Sequence, residues 1–343
     1  MEEVGTATSP CVPVDGGIHC AAVSPGSLRA HLAISRRWRI SLALPVVLGP
    51  FALAPATVQA TFPGRTGVIA WSYSYQANEG PTPGGYGILT VGGRGGRDHT
   101  VRSCSTFGYC EAWTHVSYSP TGGKLAWVIQ TRGGASNIIV ARSDGTHPVV
   151  VGSGFGESFS PSGQRLVFIR SSGGHEHIVT SNLRGGAIRA LLSVTGAAAP
   201  QFSPNGRQIL FASHTSVWVM DATGRNAHAI IANAKAPSWA PSGNEIAYVS
   251  FRSGRVFTAL PDGTQVRELP ADGLCYPPAC GGGSNFAIFS PNGRTIAFDN
   301  IDGSGDPNVY TMPATGGRAK DIDYVSTDSA GGAVTGLTWQ SLR

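Results

Sequence analysis

Apolar residues in this chain come in short runs separated by glycine, proline and small polar residues. Leu125-Ala126-Trp127, Ile138-Ile139-Val140 and Val149-Val150-Val151 are typical. Such runs are β-branched or aromatic and bounded by turn residues, so they read as strands rather than helices. One phrase recurs: an aromatic residue, Ser-Pro (once Ala-Pro), a Gly shortly after, then a second apolar run. It appears at Tyr118-Ser119-Pro120, Phe159-Ser160-Pro161, Phe202-Ser203-Pro204, Trp239-Ala240-Pro241 and Phe289-Ser290-Pro291. The prolines lie 41, 43, 37 and 50 residues apart. Proline ends a strand because it fixes φ and has no N–H to donate, and glycine supplies the positive φ that turns the chain back. The first copy is expected to turn at Gly123.

Each copy continues with a third run, such as Ile178-Val179-Thr180 or Val309-Tyr310-Thr311, a glycine turn, and a fourth run. Four strands repeating at roughly 40–45 residues predict a propeller blade. Five copies are complete. The sixth is split: Gly67–Trp71, Tyr86–Val91 and Asp98–Val101 supply three strands at one end, and Leu337-Thr338-Trp339-Gln340 supplies the missing first strand at the other. The expected fold is all-β: a six-bladed propeller of four-stranded antiparallel blades. Its C-terminal strand joins the N-terminal blade, placing Trp339 beside Ile69 and removing two free sheet edges.

The repeated Ser-Pro-Asn-Gly phrase resembles the PD40, or WD40-like, repeats of the TolB family of six-bladed propellers, over Gly67 to Gln340. The resemblance implies an extracytoplasmic binding or scaffold module that mediates interaction with a protein, a glycan or another envelope component. TolB proteins carry a small α/β domain ahead of the propeller, and only a few residues of the mature chain expected here precede Gly67.

Residues 1–60 read as an N-terminal lead plus an export signal. Arg36, Arg37 and Arg39 precede an apolar run of 14, Ile40 to Leu53, and Val58-Gln59-Ala60 resembles a cleavage site. Cleavage is expected near Ala60/Thr61, leaving one propeller domain, 61–343, in the periplasm, cell envelope or exterior. An uncleaved anchor is the alternative; the run is short and broken by Pro45 and Pro50. Ser35-Arg36-Arg37-Trp38 leaves both the general and the twin-arginine export routes open. The mature region has 21 Lys and Arg against 17 acidic residues and no cluster of basic ones, which argues against nucleic-acid binding. A monomer is expected.

Four cysteines follow the signal: Cys104, Cys110, Cys275 and Cys280. Two close pairs in an oxidising compartment point to two local disulfides, with a zinc site or free thiols as alternatives. The loops between second and third strands, and between blades, are short in blades 3 to 5 and long around blades 6, 1 and 2. The long ones are expected to form a raised binding rim carrying Tyr75, Phe107, Tyr109, Trp113, Tyr276 and Tyr324. No cofactor is expected. Asp299, Asp302 and Asp306 form a weak calcium candidate within an otherwise turn-like string. No Gly-x-Ser-x-Gly elbow occurs, so a serine-hydrolase domain is not expected. The competing class is a propeller hydrolase or lyase acting on carbohydrate or peptide in the central pocket. His175-Glu176-His177 is the one tight histidine cluster.

Overall fold

The computed structural model describes residues 12–14, 17–19, 57–58, 61–75, 85–94, 99–104, 112–130, 135–274, 283–301, 307–324 and 333–342. Residues 1–51 and 52–343 form two units. In the first, Val12–Val14 pairs antiparallel with Gly17–His19. In the second, every described element is a strand, and six antiparallel sheets of four strands form a six-bladed propeller. The first strands of the blades are Ala333–Leu342, Ala112–Tyr118, Phe155–Phe159, Ala197–Phe202, Ala234–Trp239 and Ala287–Phe289, for blades 1 to 6. Each touches the first strand of the next blade, including blade 6 with blade 1, so these six strands make a closed hub.

The recurring phrase builds the same turn each time. In blade 4 the Ser203 hydroxyl accepts from the Gln208 N–H at 3.0 Å and donates to Asn205 Oδ1 at 2.8 Å. Asn205 Oδ1 also accepts from the Arg207 N–H at 3.0 Å, and the Gly206 N–H closes back on the Ser203 carbonyl at 2.8 Å. Blade 6 repeats this with Ser290, Asn292, Arg294 and Thr295. An acceptor is therefore needed two residues after the serine, and Asn or Ser serves. Gly206 has φ +72° and the equivalent Gly163, Gly243 and Gly293 lie within a few degrees of it. In blade 2 the residue with this conformation is Gly122, φ +68°, and not Gly123. Counting from the aromatic rather than from the following strand gives Gly122, because Pro-Thr-Gly takes the place of Pro-Asn-Gly.

Packing between blades comes from one ring on each first strand and one on each second strand. Trp71, Trp127, Phe211 and Phe298, from second strands, and Phe159, Trp239 and Phe289, from first strands, are essentially inaccessible to solvent. Burying each stabilises the ring by roughly 1.5–3 kcal/mol. The same first strands tie blade to blade by hydrogen bonds: Gln201 of blade 4 donates to the Pro237 carbonyl and accepts from the Trp239 N–H in blade 5.

The ring closes where the sequence places the join. Trp339 pairs with Ile69, Thr338 with Ala70 and Leu337 with Trp71. The Trp339 indole N–H donates to the Gly67 carbonyl at 3.3 Å. On its far side the same strand reaches blade 2: Thr338 Oγ1 accepts from the Tyr118 N–H at 3.2 Å, and Gln340 Nε2 donates to the Gly122 carbonyl at 3.0 Å. A short strand ahead of the propeller, Thr57–Val58, runs parallel to this closing strand at Gly336 and Leu337, as a fifth strand on its hub side. Thr61 and Gly64 then bond to the blade 6 turn, at the carbonyls of Phe289 and Pro291.

Candidate functional site at the mouth of the hub

Five first strands shift register within a residue of one place, and in four of them the backbone there is left-handed. His115, Gly156, Ala199 and Ala236, each three residues before the aromatic, have φ between 47° and 67°. The ladders shift register at these residues. A non-glycine residue in this region costs about 1 kcal/mol, so the hub geometry imposes it. One residue earlier stand Thr335, Thr114, Phe155, Ala198, Lys235 and Asn285, for blades 1 to 6. These mark the end of the hub that faces the blade-to-blade connectors. Blades 3 and 4 contribute apolar residues there; blades 5, 6 and 1 contribute polar ones.

The polar arc is joined by hydrogen bonds. Lys235 Nζ donates to Asn285 Oδ1 at 3.0 Å. Asn285 Nδ2 donates to Asp299 Oδ2 at 2.9 Å. Asp299 Oδ1 accepts the backbone N–H groups of Asn285 and Phe286, both at 2.7 Å. Next along, Thr335 Oγ1 donates to Ser72 Oγ at 3.0 Å. In blade 6 the Asp299 carboxylate thus takes the two N–H groups that the ladder would otherwise use, and regular pairing begins only at Ala287.

Asp299 departs from the repeat. The equivalent second-strand residues are Ser72, Val128, Ile169, Ala212 and Val249, apolar in four blades. Asp299 is fully buried. Burial pushes its carboxyl up to about 6, against the pull of the Asn285 and Phe286 donors and the Lys235 ammonium. Half-buried Lys235 is displaced the other way: burial takes its ammonium below the usual lysine range, and the Asp299 charge offsets part of that. Around the arc, Ser284 Oγ, Asn300 Nδ2 and Asn308 Oδ1 are buried without a hydrogen-bond partner among the described residues. The arrangement is a buried carboxylate orienting an amide, which orients a cation at the hub mouth.

The residues predicted from sequence fall unevenly on this frame. Tyr75, Trp113, Tyr324 and Cys104 lie in strands, but their side chains are outside the described residues, as are Phe107, Tyr109, Cys110, Tyr276, Cys275 and Cys280 altogether. Of the calcium candidates, Asp302 and Asp306 lie outside as well, and both Asp299 oxygens are engaged by N–H donors. His175-Glu176-His177 begins a strand and is no isolated turn: Glu176 Oε2 accepts the Ala197 N–H of blade 4 at 3.0 Å. Sequence reasoning passed over Lys235, Asn285 and the structural use of Asp299. Aligning the copies on their prolines would have flagged Asp299 as a carboxylate in an apolar column.

No protein-family model matches the chain, and no curated protein matches it. Solved structures do. TolB from Acinetobacter baumannii is 19% identical over 80% of this chain and 67% of its own, with a TM-score of 0.62. Hydrazine synthase from Kuenenia stuttgartiensis is 13% identical over 82% of this chain and 48% of its own, TM-score 0.59. A chain of a nidogen/laminin complex is 12% identical over 80% of this chain and 98% of its own, TM-score 0.57. At these identities the likeness is one of fold, and a propeller hosts unrelated activities.

Proposed function

We propose that the chain is an extracytoplasmic binding or scaffold propeller of the TolB-like, PD40-repeat kind. It engages a protein or cell-envelope component at the connector-facing mouth of the hub, over blades 5, 6 and 1. The observation that carries this reading is the Lys235–Asn285–Asp299 relay. A fixed, half-buried ammonium recognises an anionic group, such as a partner carboxylate, and a preoriented one does so at little entropic cost. The long connectors of blades 6, 1 and 2, with Tyr109, Trp113 and Tyr276, would extend the contact, and residues 1–60 would serve as its export signal. Among the described residues no helix is long and apolar enough to cross a membrane.

A hydrolase or lyase in the central channel is the competing reading. Such enzymes need a carboxyl or imidazole that reaches the substrate. At this mouth the Asp299 carboxyl is buried and its oxygens are occupied by donors, so it positions Asn285 rather than meeting a ligand. Affinity capture from an envelope fraction tests the proposal, using wild type, Lys235→Gln and an Arg294→Gln control on the opposite face. A partner held by wild type and control but lost from Lys235→Gln supports the reading. Equal capture by all three overturns it.

A further inference from the structure

On the face carrying the short turns, blades 3 and 5 differ in charge. In blade 5, Arg267 lies opposite Thr258 on the outer strand, and Glu245 precedes the second strand. The two form an ion pair, Arg267 Nη2 to Glu245 Oε1 at 3.5 Å. In blade 3 the same two places hold Arg189, opposite Thr180, and Arg165. Blade 3 thus has a second guanidinium where blade 5 has a carboxylate, and blades 2, 4 and 6 have Lys124, Gln208 and Thr295. Arg165 Nη2 donates to the buried Thr180 Oγ1 at 2.5 Å, which fixes it over the third strand. Neither arginine forms an ion pair among the described residues.

Both arginines line one pocket of about 410 Å3 between blades 3 and 4. Ser160, Ser162 and Asn205 add polar groups to its wall, and Leu191 and Phe202 give it an apolar side. Among the described residues, no Asp or Glu lines it. Two exposed guanidinium side chains lining one open pocket of ligand size, without the counter-charge that blade 5 supplies, call for an anion from outside. From this we infer a second binding site, on the opposite face to the hub mouth and independent of it. It takes a small organic phosphate or sulfate ester: the oxyanion between Arg165 and Arg189, the apolar body against Leu191 and Phe202.

Calorimetric titration of the full chain with phenyl phosphate tests this, with inorganic phosphate and benzyl alcohol as comparison probes. Saturable binding of phenyl phosphate below about 1 mM is expected, weakening as salt is raised. Inorganic phosphate is expected to bind more weakly and benzyl alcohol not at all. Arg189→Gln should weaken phenyl phosphate binding at least about tenfold. Arg165→Glu should abolish it; the variant gains the blade 5 type of ion pair but loses the bond to Thr180, so its melting temperature should fall by no more than a few degrees. Arg267→Gln should bind as wild type does. Phenyl phosphate binding equally to wild type and Arg189→Gln, or to neither, overturns the site. Inorganic phosphate binding as tightly as the ester overturns the assignment of an organic body.

Discussion

Replacing Glu157 with glutamine should make the propeller more stable in alkali and leave it almost unchanged in acid. Glu157 sits on the blade 3 first strand, two residues before Phe159, and is fully buried. The equivalent residues are Val116, Pro200, Pro237, Ala287 and Leu337, apolar in all five other blades. Burial pushes the Glu157 carboxyl up to about 8 from an ordinary value of 4.5. The folded protein then holds a proton up to about pH 8 that the unfolded chain releases near pH 4.5, so this group's contribution to stability falls as pH rises between those values. At about 1.4 kcal/mol per pH unit, the loss across the window is roughly 4–5 kcal/mol, an upper bound. The carboxamide of the Glu157→Gln variant mimics the neutral acid and cannot titrate. Urea denaturation followed by tryptophan fluorescence should give variant and wild type within about 1 kcal/mol at pH 5, and the variant ahead by about 3–4 kcal/mol at about pH 8.5. In melting temperature that is on the order of 6–12 °C. Asp299 also titrates in this range, but in both proteins, so it cancels in the difference. Parallel pH profiles for the two proteins would refute the reasoning.

Other expectations follow from the same geometry. Asp299→Asn keeps the shape but turns one acceptor into a donor facing Asn285 Nδ2; it should cost about 2–3 kcal/mol in urea denaturation and release Lys235, seen as an amine that reacts faster with acetylating reagents. Gly93→Ala places a Cβ 2.6 Å from Trp339 Cζ2, and the clash should lower the melting midpoint by the equivalent of about 1–3 kcal/mol. Gly206→Ala meets nothing nearer than Pro161 Cγ at 3.5 Å, so only the backbone cost at φ +72° remains, about 1 kcal/mol by the same assay.

Much of this fold was readable from five Ser-Pro and Ala-Pro turns in phase, because each turn needs a proline, a short acceptor and a positive-φ glycine at fixed offsets. The split blade was readable for a similar reason: Trp339 occupies the aromatic slot and has no other strand to complete. The hub mouth was less legible. Lys235 lies in an unremarkable Ala-Lys-Ala-Pro string, and its partner Asn285 is 50 residues away and in the next blade. Asp299 read linearly looks like the start of an acidic turn, since a strand in blade 6 without a bulge leaves no mark in composition. The two-arginine pocket needs Arg165 and Arg189 to be compared with Glu245 and Arg267, a comparison that exists only once the strands are in register.

Closure of the ring by the last strand underlies every statement about its two faces, and hydrogen exchange over residues 333–342 measures it directly. Those amides of residues 333–342 that donate to the Arg65–Tyr75 strand should exchange only on global unfolding, as slowly as the buried second strand at Leu210 and Phe211. Exchange of all the amides of 333–342 at open-chain rates, with the blade 4 strand still protected, would contradict closure.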